Sequence, residues 1–275
     1  MEDDLTPLRK LRLYLQSSED LSAGLKSRGY NKLGIIENRL MRWKNALTSF
    51  DKSIYFGGNN KYAASSKFCK FTTYKKQGKY IEAEKELLTA LKHYKSLPNS
   101  YEKSFGLYLA GKFYSHNYYP DKGIEYYLKS YYSFDRLGNK SKKIMVGSEI
   151  SRLYFEMKNY SLAIEFLDRN EEEAIEISDN KSLFIIYNRK ASLYNYINKP
   201  DTAIVFLNKW DSVFRASQIK ADKSSYLYNL ASAYQLKNEC NKATQLFLER
   251  LRLEEEKTNH KHQYAITYNE LATCA

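Results

Sequence analysis

The sequence predicts an all-α fold, a solenoid of antiparallel helix pairs with about six hairpins plus terminal helices, and three observations carry that prediction. A small residue recurs at near-constant spacing, at Ala46, Ala83, Gly123, Ala163, Ala203 and Ala243, the first interval being 37 residues and each later one 40. Self-similarity at a fixed period of this size marks a repeat architecture, in which each unit buries its apolar face on its neighbours. Four residues after each small residue stands a large apolar one, namely Phe50, Leu87, Tyr127, Leu167, Leu207 and Phe247. That spacing puts the pair one turn apart on a single helical face, where the small residue admits a neighbouring helix and the large one fills the gap. Two sets of chain breakers alternate along the sequence, so each repeat holds two helices.

Taken in order, residues 1–26 form an N-terminal cap. Leu8, Leu11, Leu13, Leu15, Leu21 and Leu25 predict an apolar helical segment over 8–25 that covers the first repeat. A solenoid then runs over 27–275, with repeats near 27–60, 64–100, 103–140, 144–181, 184–220 and 224–260 and a partial one over 264–275. In the first helix of a repeat a small residue is followed three positions on by an aromatic: Ala110 with Phe113, Ser151 with Tyr154, Ala191 with Tyr194, Ala231 with Tyr234. Breakers inside the hairpins lie at 77–79, 117–120, 158–160, 198–200 and 237–239. Those between hairpins lie at 57–60, 97–100, 137–140, 178–181 and 258–260. The chain stops at Ala275 inside what would be the first helix of a seventh repeat, which reads as a truncation, the alternative being a lone capping helix.

These residues resemble the tetratricopeptide repeat (TPR) family over roughly 27–275. Gly78-Lys79-Tyr80-Ile81-Glu82-Ala83-Glu84-Lys85-Glu86-Leu87 with Ala90, and Lys158-Asn159-Tyr160-Ser161-Leu162-Ala163-Ile164-Glu165-Phe166-Leu167, follow its pattern. Phe71 stands where the second repeat wants a small residue, Glu37 where the first wants an aromatic, and Gly123 follows a turn longer by one residue. The resemblance implies a right-handed superhelix whose first helices line an inner groove. The long repeat is similar to those of bacterial regulatory TPR proteins, which implies a sensory or docking region that binds a protein or an extended peptide.

Reading the groove by register gives Arg28, Asn31, Asn38 and Arg39, then Lys75 and Lys76, Tyr114, Arg152, Asn188 and Asn195, Tyr228 and Gln235, and Asn269. An asparagine both donates and accepts, which suits it to clamp a peptide backbone whatever the side chains. Asn188 and Asn195 stand seven apart on one face, and Tyr228 and Gln235 repeat the spacing one hairpin later. The clamp of chaperone-tail-binding TPRs is not reproduced, because Ile35 occupies a place where that clamp resembles an asparagine.

Composition bounds the rest. A hydrophobic fraction of 43% with 15% aromatic residues argues against disorder. No run approaches the roughly 20 apolar residues that span a bilayer, so no membrane contact by this segment is expected. The first seven residues lack a basic leader and an apolar core, which points to a cytoplasmic protein; the alternative is the periplasmic part of a membrane-anchored regulator with its signal removed. Cys69, Cys240 and Cys274 are odd in number and far apart, as reduced and mostly packed thiols would be.

The net charge is +12, and residues 1–100 carry 19 Lys and Arg against 10 Asp and Glu. A basic nucleic-acid-associated scaffold is therefore the alternative function, with the 26 tyrosines as stacking candidates. Against it, Tyr74, Tyr154, Tyr194 and Tyr234 hold packing positions, and Lys61, Lys67, Lys70, Lys75, Lys76 and Lys79 spread around a helix instead of forming a stripe. No catalytic constellation is found, and neither an enzyme nor a cofactor nor a metal is expected. His260 and His262 lack cysteine or carboxylate companions, and the runs 171–173 and 254–256 of glutamate read as solvent-facing. Self-association through the terminal repeat face around 265–275 is a further expectation.

Overall fold

The computed structural model describes residues 6–95, 98–117, 119–217, 222–255 and 261–273, in which fourteen helices run with no strand among the described residues. A first helix, α1 (Thr6–Ser17), precedes the repeats. They follow as α2 (Ala23–Arg39) and α3 (Trp43–Gly57), α4 (Lys61–Lys76) and α5 (Tyr80–Lys95), α6 (Tyr101–His116) and α7 (Pro120–Arg136), then α8 (Lys140–Glu156) and α9 (Tyr160–Glu176). Next come α10 (Asn180–Tyr196) and α11 (Pro200–Ala216), α12 (Ser224–Leu236) and α13 (Cys240–Glu255), and finally α14 (Lys261–Thr273). The chain divides within α6 into two compact units, Met1–Phe113 and Tyr114–Ala275.

In both units the small and large residues of the second helices make the core. In the first unit Ala46, Phe50, Ala83 and Leu87 are fully buried; in the second so are Ala163, Ala203, Ala243, Tyr127, Leu207 and Phe247. Burying one such large side chain contributes roughly 1.5–3 kcal/mol. Close approach shows where α2 meets α3: a Cβ on Gly34 would stand 2.5 Å from the Phe50 ring, so only a glycine lets the two helices close. The departures from the pattern are compensated locally. Phe71 packs edge-on against Phe68 and Phe113. Glu37, 1% exposed, accepts hydrogen bonds from Arg12 and from Ser49 Oγ at 2.6 Å.

Seven of the described turns close in one way. The residue just past a helix takes a positive φ, and the next amide reaches back to the helix's last turn, as Asn159 N does to Tyr154 O at 2.8 Å and Lys79 N to Tyr74 O at 3.0 Å. Glycine supplies the positive φ at Gly78 and Gly138, whereas Met41, Lys158, Ser178, Asn198 and Asn238 adopt it with a side chain. The turn at Met41 carries no breaker residue, which is why the sequence did not mark it.

Two expectations need correction. Residues 8–25 do not form one helical segment: α1 ends at Ser17, and Ser22 caps α2 by accepting from the Leu25 amide at 3.3 Å. Leu15 is buried, with Leu8, Leu11 and Leu21 packed beside it against Tyr30 and Leu33, but Leu13 and Leu25 are exposed. The glutamate runs are also not simply solvent-facing. Glu171 is buried with Lys190 and Lys209, Glu173 pairs with Lys143, and Glu254 is fully buried beside Arg250. Each is drawn inward by a cation that shares its burial. The expectations for His260, His262 and Cys274 fall outside the described residues or side chains.

Candidate functional site

Six of the predicted groove residues fall in the first unit. Arg28, Arg39 and Lys76 are exposed, and Lys75 is half-buried. Asn31 is buried in the seam between α2 and α4, where its Nδ2 donates to Ser66 Oγ at 2.9 Å. Asn38 is buried as well, with no partner for its Oδ1. On the same unit α4, α5 and α6 enclose an apolar depression of about 260 Å³ whose walls include Phe68, Tyr94, Phe105 and Leu109.

The other seven fall in the second unit, and several serve the stack itself. Asn195 Nδ2 on α10 donates to Asn229 O on α12 at 2.7 Å, and Asn229 Nδ2 returns to Asn188 O at 3.1 Å. Farther along, Gln235 Nε2 donates to Glu270 O at 3.3 Å and Tyr228 OH to Glu270 Oε1 at 3.4 Å, joining α12 to α14. Amides spent in this way fix the register of neighbouring first helices, since stranding a buried polar group costs about 1–3 kcal/mol. Tyr114 is 3% exposed and stacks on Tyr126, while Asn269 is exposed.

What remains open on the first-helix face is a pair of adjoining depressions. The first, about 280 Å³, has Phe155, Leu167 and Leu193 as apolar lining and Arg152, Arg189 and Glu156 beside them. The second, about 290 Å³, is bordered by Asn188, Ser225, Tyr228, Asn229 and Arg250. Arg189 and Ser192 border both, so the two adjoin and together make a trough across α8, α10 and α12.

Its charges are held in a chain. Arg189 reaches from α10 to Ser148 O and Glu149 of α8. Arg152 bonds Glu149 at 3.0 Å and Glu156 at 2.5 Å, which leaves its Nη2 without a partner. Burial pushes the Glu149 carboxyl up, but Arg189 and Arg152 more than offset this and hold it below its usual range. Arg250, only 6% exposed, donates from Nε to Glu254 at 2.9 Å and Ser224 at 3.2 Å, and its guanidinium lies 4.7 Å from the Tyr228 ring centre. Its Nη1 is also unpartnered. An apolar lining among charges fixed in this way can hold an apolar side chain of a bound segment.

Arg189, Ser192 and Arg250 were missed by register. One signal was present: Glu149 and Arg189, opposite in charge, stand one 40-residue period apart. Among the described residues no group of three or more His, Cys, Asp and Glu is placed to hold a metal ion, and no helix is long and apolar enough to cross a membrane. Burial pushes the Cys69 thiol up to about 11, Ser65 opposing weakly, which leaves it a poor nucleophile.

No protein-family model matches the sequence, and no curated protein does. Solved structures match it in fold. A signal transduction ATPase with numerous domains and a tetratricopeptide repeat sensor, from Pyrococcus horikoshii, superposes with a TM-score of 0.68 at 17% identity over 96% of this chain and 41% of that one. A tetratricopeptide repeat protein from Parabacteroides merdae gives 0.57 at 16% identity over 98% and 91%. A Rap protein complexed with competence and sporulation factor gives 0.54 at 13% identity over 92% and 69%. The fold is that of tetratricopeptide repeats, an all-α helical-repeat solenoid.

Proposed function

We propose that this chain is a non-catalytic scaffold that holds an extended segment of a partner protein on its first-helix face, as the sensory or docking region of a bacterial regulatory protein. The trough over α8, α10 and α12 carries the reading, because it joins an apolar lining to arginine and glutamate side chains already fixed by one another. The tetratricopeptide repeat sensor of the Pyrococcus horikoshii protein and the competence and sporulation factor held by the Rap protein lend support from like folds.

Ser192 is exposed and borders both depressions, so Ser192→Trp obstructs them without touching the core. Peptides selected on the full chain from a random display library should bind Ser192→Trp about tenfold more weakly or worse. Val205→Trp, at an exposed site on α11, should leave binding unchanged. Equal affinity for a folded Ser192→Trp protein contradicts the assignment. The basic surplus keeps one rival, nucleic acid, which predicts binding of oligonucleotide that falls steeply with salt.

A further inference from the structure

In the first unit the turns inside two hairpins make a surface of another kind. From the end of α2 into α3 the chain reads Arg39-Leu40-Met41-Arg42-Trp43-Lys44, and from the end of α4 into α5 it reads Lys76-Gln77-Gly78-Lys79-Tyr80-Ile81. Lys76 Nζ lies 5.8 Å from the Trp43 ring centre, so the two turns stand side by side on one edge. Five cations fall within these residues and no acid does. Arg39, Arg42, Lys44, Lys76 and Lys79 form no ion pair among the described residues. Of the acids that flank the two segments, Glu37 is buried with Arg12 and Ser49, and Glu82 lies in the first turn of α5, where the helix dipole favours it.

Apolar side chains stand exposed among these cations. Leu40 and Tyr80 are half-exposed, Met41 is 71% exposed and Ile81 85%. Met41 also holds φ 58°, in the left-handed region that disfavours a side chain, and gains no burial in return. Among the described residues the other non-glycine positions of positive φ are Lys158, Ser178, Asn198 and Asn238, all polar. The turn at the other end of α3, Gly57-Gly58-Asn59-Asn60, has neither a charge nor a large apolar side chain. Residues 1–113 hold 21 Lys and Arg against 11 Asp and Glu, so the field of the whole unit has the sign of this edge.

We infer that this edge attaches the protein to an anionic lipid surface, with Leu40, Met41 and Ile81 entering the headgroup layer and the cations around them on lipid phosphates. Such attachment is peripheral and asks for no spanning helix; its strength comes from buried apolar area and from charge together. Side chains this exposed present themselves to a plane, whereas the anchor of a bound peptide calls for a concavity. Trp43 and Tyr80, each part apolar and part polar, suit the boundary between headgroups and acyl chains. The electrostatic share fades within a Debye length, about 8 Å at physiological salt. None of these residues borders the trough, so the inference does not depend on the peptide-binding reading.

The test titrates the full chain with vesicles of phosphatidylcholine alone and of phosphatidylcholine mixed with phosphatidylglycerol. Co-sedimentation should show the anionic vesicles binding about tenfold tighter, with the difference shrinking as salt rises. Brominated acyl chains should quench Trp43 and spare the buried Trp210. Met41→Ser/Ile81→Ser removes the apolar tips at constant charge, and Lys44→Gln/Lys79→Gln removes exposed charge; each should weaken anionic-vesicle binding about tenfold. Ser178 holds a φ of 55° in this same chain, so a serine suits the Met41 turn, and an unchanged circular-dichroism melt confirms the fold of each variant. Equal binding to neutral and anionic vesicles, no binding at low salt, or full affinity of folded Met41→Ser/Ile81→Ser overturns the inference. Oligo-uridine held through Lys44 and Lys79 in place of vesicles makes the edge a nucleic-acid surface and overturns it as well. Peptide binding that stays sensitive to Ser192→Trp leaves the proposed function standing in each of these events.

Discussion

The two units share one packing scheme and differ in charge balance. Residues 1–113 are strongly basic, whereas residues 114–275 hold 23 Lys and Arg against 21 Asp and Glu. In the second unit cations are consumed inside the stack: Lys190, 2% exposed, pairs with Glu171 and with Asp168 at 2.6 Å, and Arg250 pairs with the buried Glu254. In the first unit Arg28, Arg39 and Lys76 stay at the surface. A repeat scaffold can thus keep its core pattern constant while its net surface charge differs from one stretch to another, even though both bury ion pairs, Glu37 with Arg12 in the first unit and Glu171 with Lys190 in the second.

The largest effect that would sharpen this contrast comes from the core. Trp210 is 1% exposed and stacks on Tyr226 and Phe214 at 4.6 and 5.2 Å. Trp210→Ala should cost about 3–5 kcal/mol in denaturant unfolding, with amide exchange rising in the second unit first. A uniform rise along the whole chain would break the picture of nearest-neighbour repeats.

Next comes the inward-turned charge. Glu171→Gln leaves the buried Lys190 with Asp168 as its remaining carboxylate and should cost about 1–3 kcal/mol near neutral pH. Burial raises the Glu171 carboxyl, but Lys190 and Lys209 outweigh it and hold its folded pKa below the usual value. The stability it adds is therefore complete above an unfolded-state pKa of ~4.3 and is lost as pH falls through the lower folded value. Urea melts of the two proteins should converge below that pH, and a gap that persists in acid would show that packing, not charge, is responsible.

Turn chemistry supplies a smaller effect of opposite sign in the two units. Gly78→Ala, at φ 73°, should destabilise the first unit by about 1 kcal/mol, and Lys158→Gly, at φ 61°, should stabilise the second by up to about 1 kcal/mol. Thermal melts that move in the same direction for both would refute the account of the turns. Smallest is Arg169→Ala, which removes an exposed pair with Glu165 four residues away and should change stability by less than about 0.5 kcal/mol.

The repeat was legible because its signal lies along the chain. Ala163 with Leu167, and Ala203 with Leu207, sit four apart on a helix face, and that spacing alone implies burial. The site was legible only in part. Register places Asn31 and Asn195 on first helices but does not tell an outward position from one turned toward the next first helix, where both amides are used. Arg250 comes from a second helix, outside the set that register selects. Glu171 and Glu254 looked solvated because a run of like charge conceals which member meets a cation from a neighbouring repeat.

The central claim is that first helices receive the partner, and photo-crosslinking tests it most directly. A library-selected peptide carrying one benzophenone, bound to the full chain and mapped by mass spectrometry, should mark α8, α10 and α12 around Ser192 in the second unit. Crosslinks confined to second helices such as α9 and α11 would contradict the account.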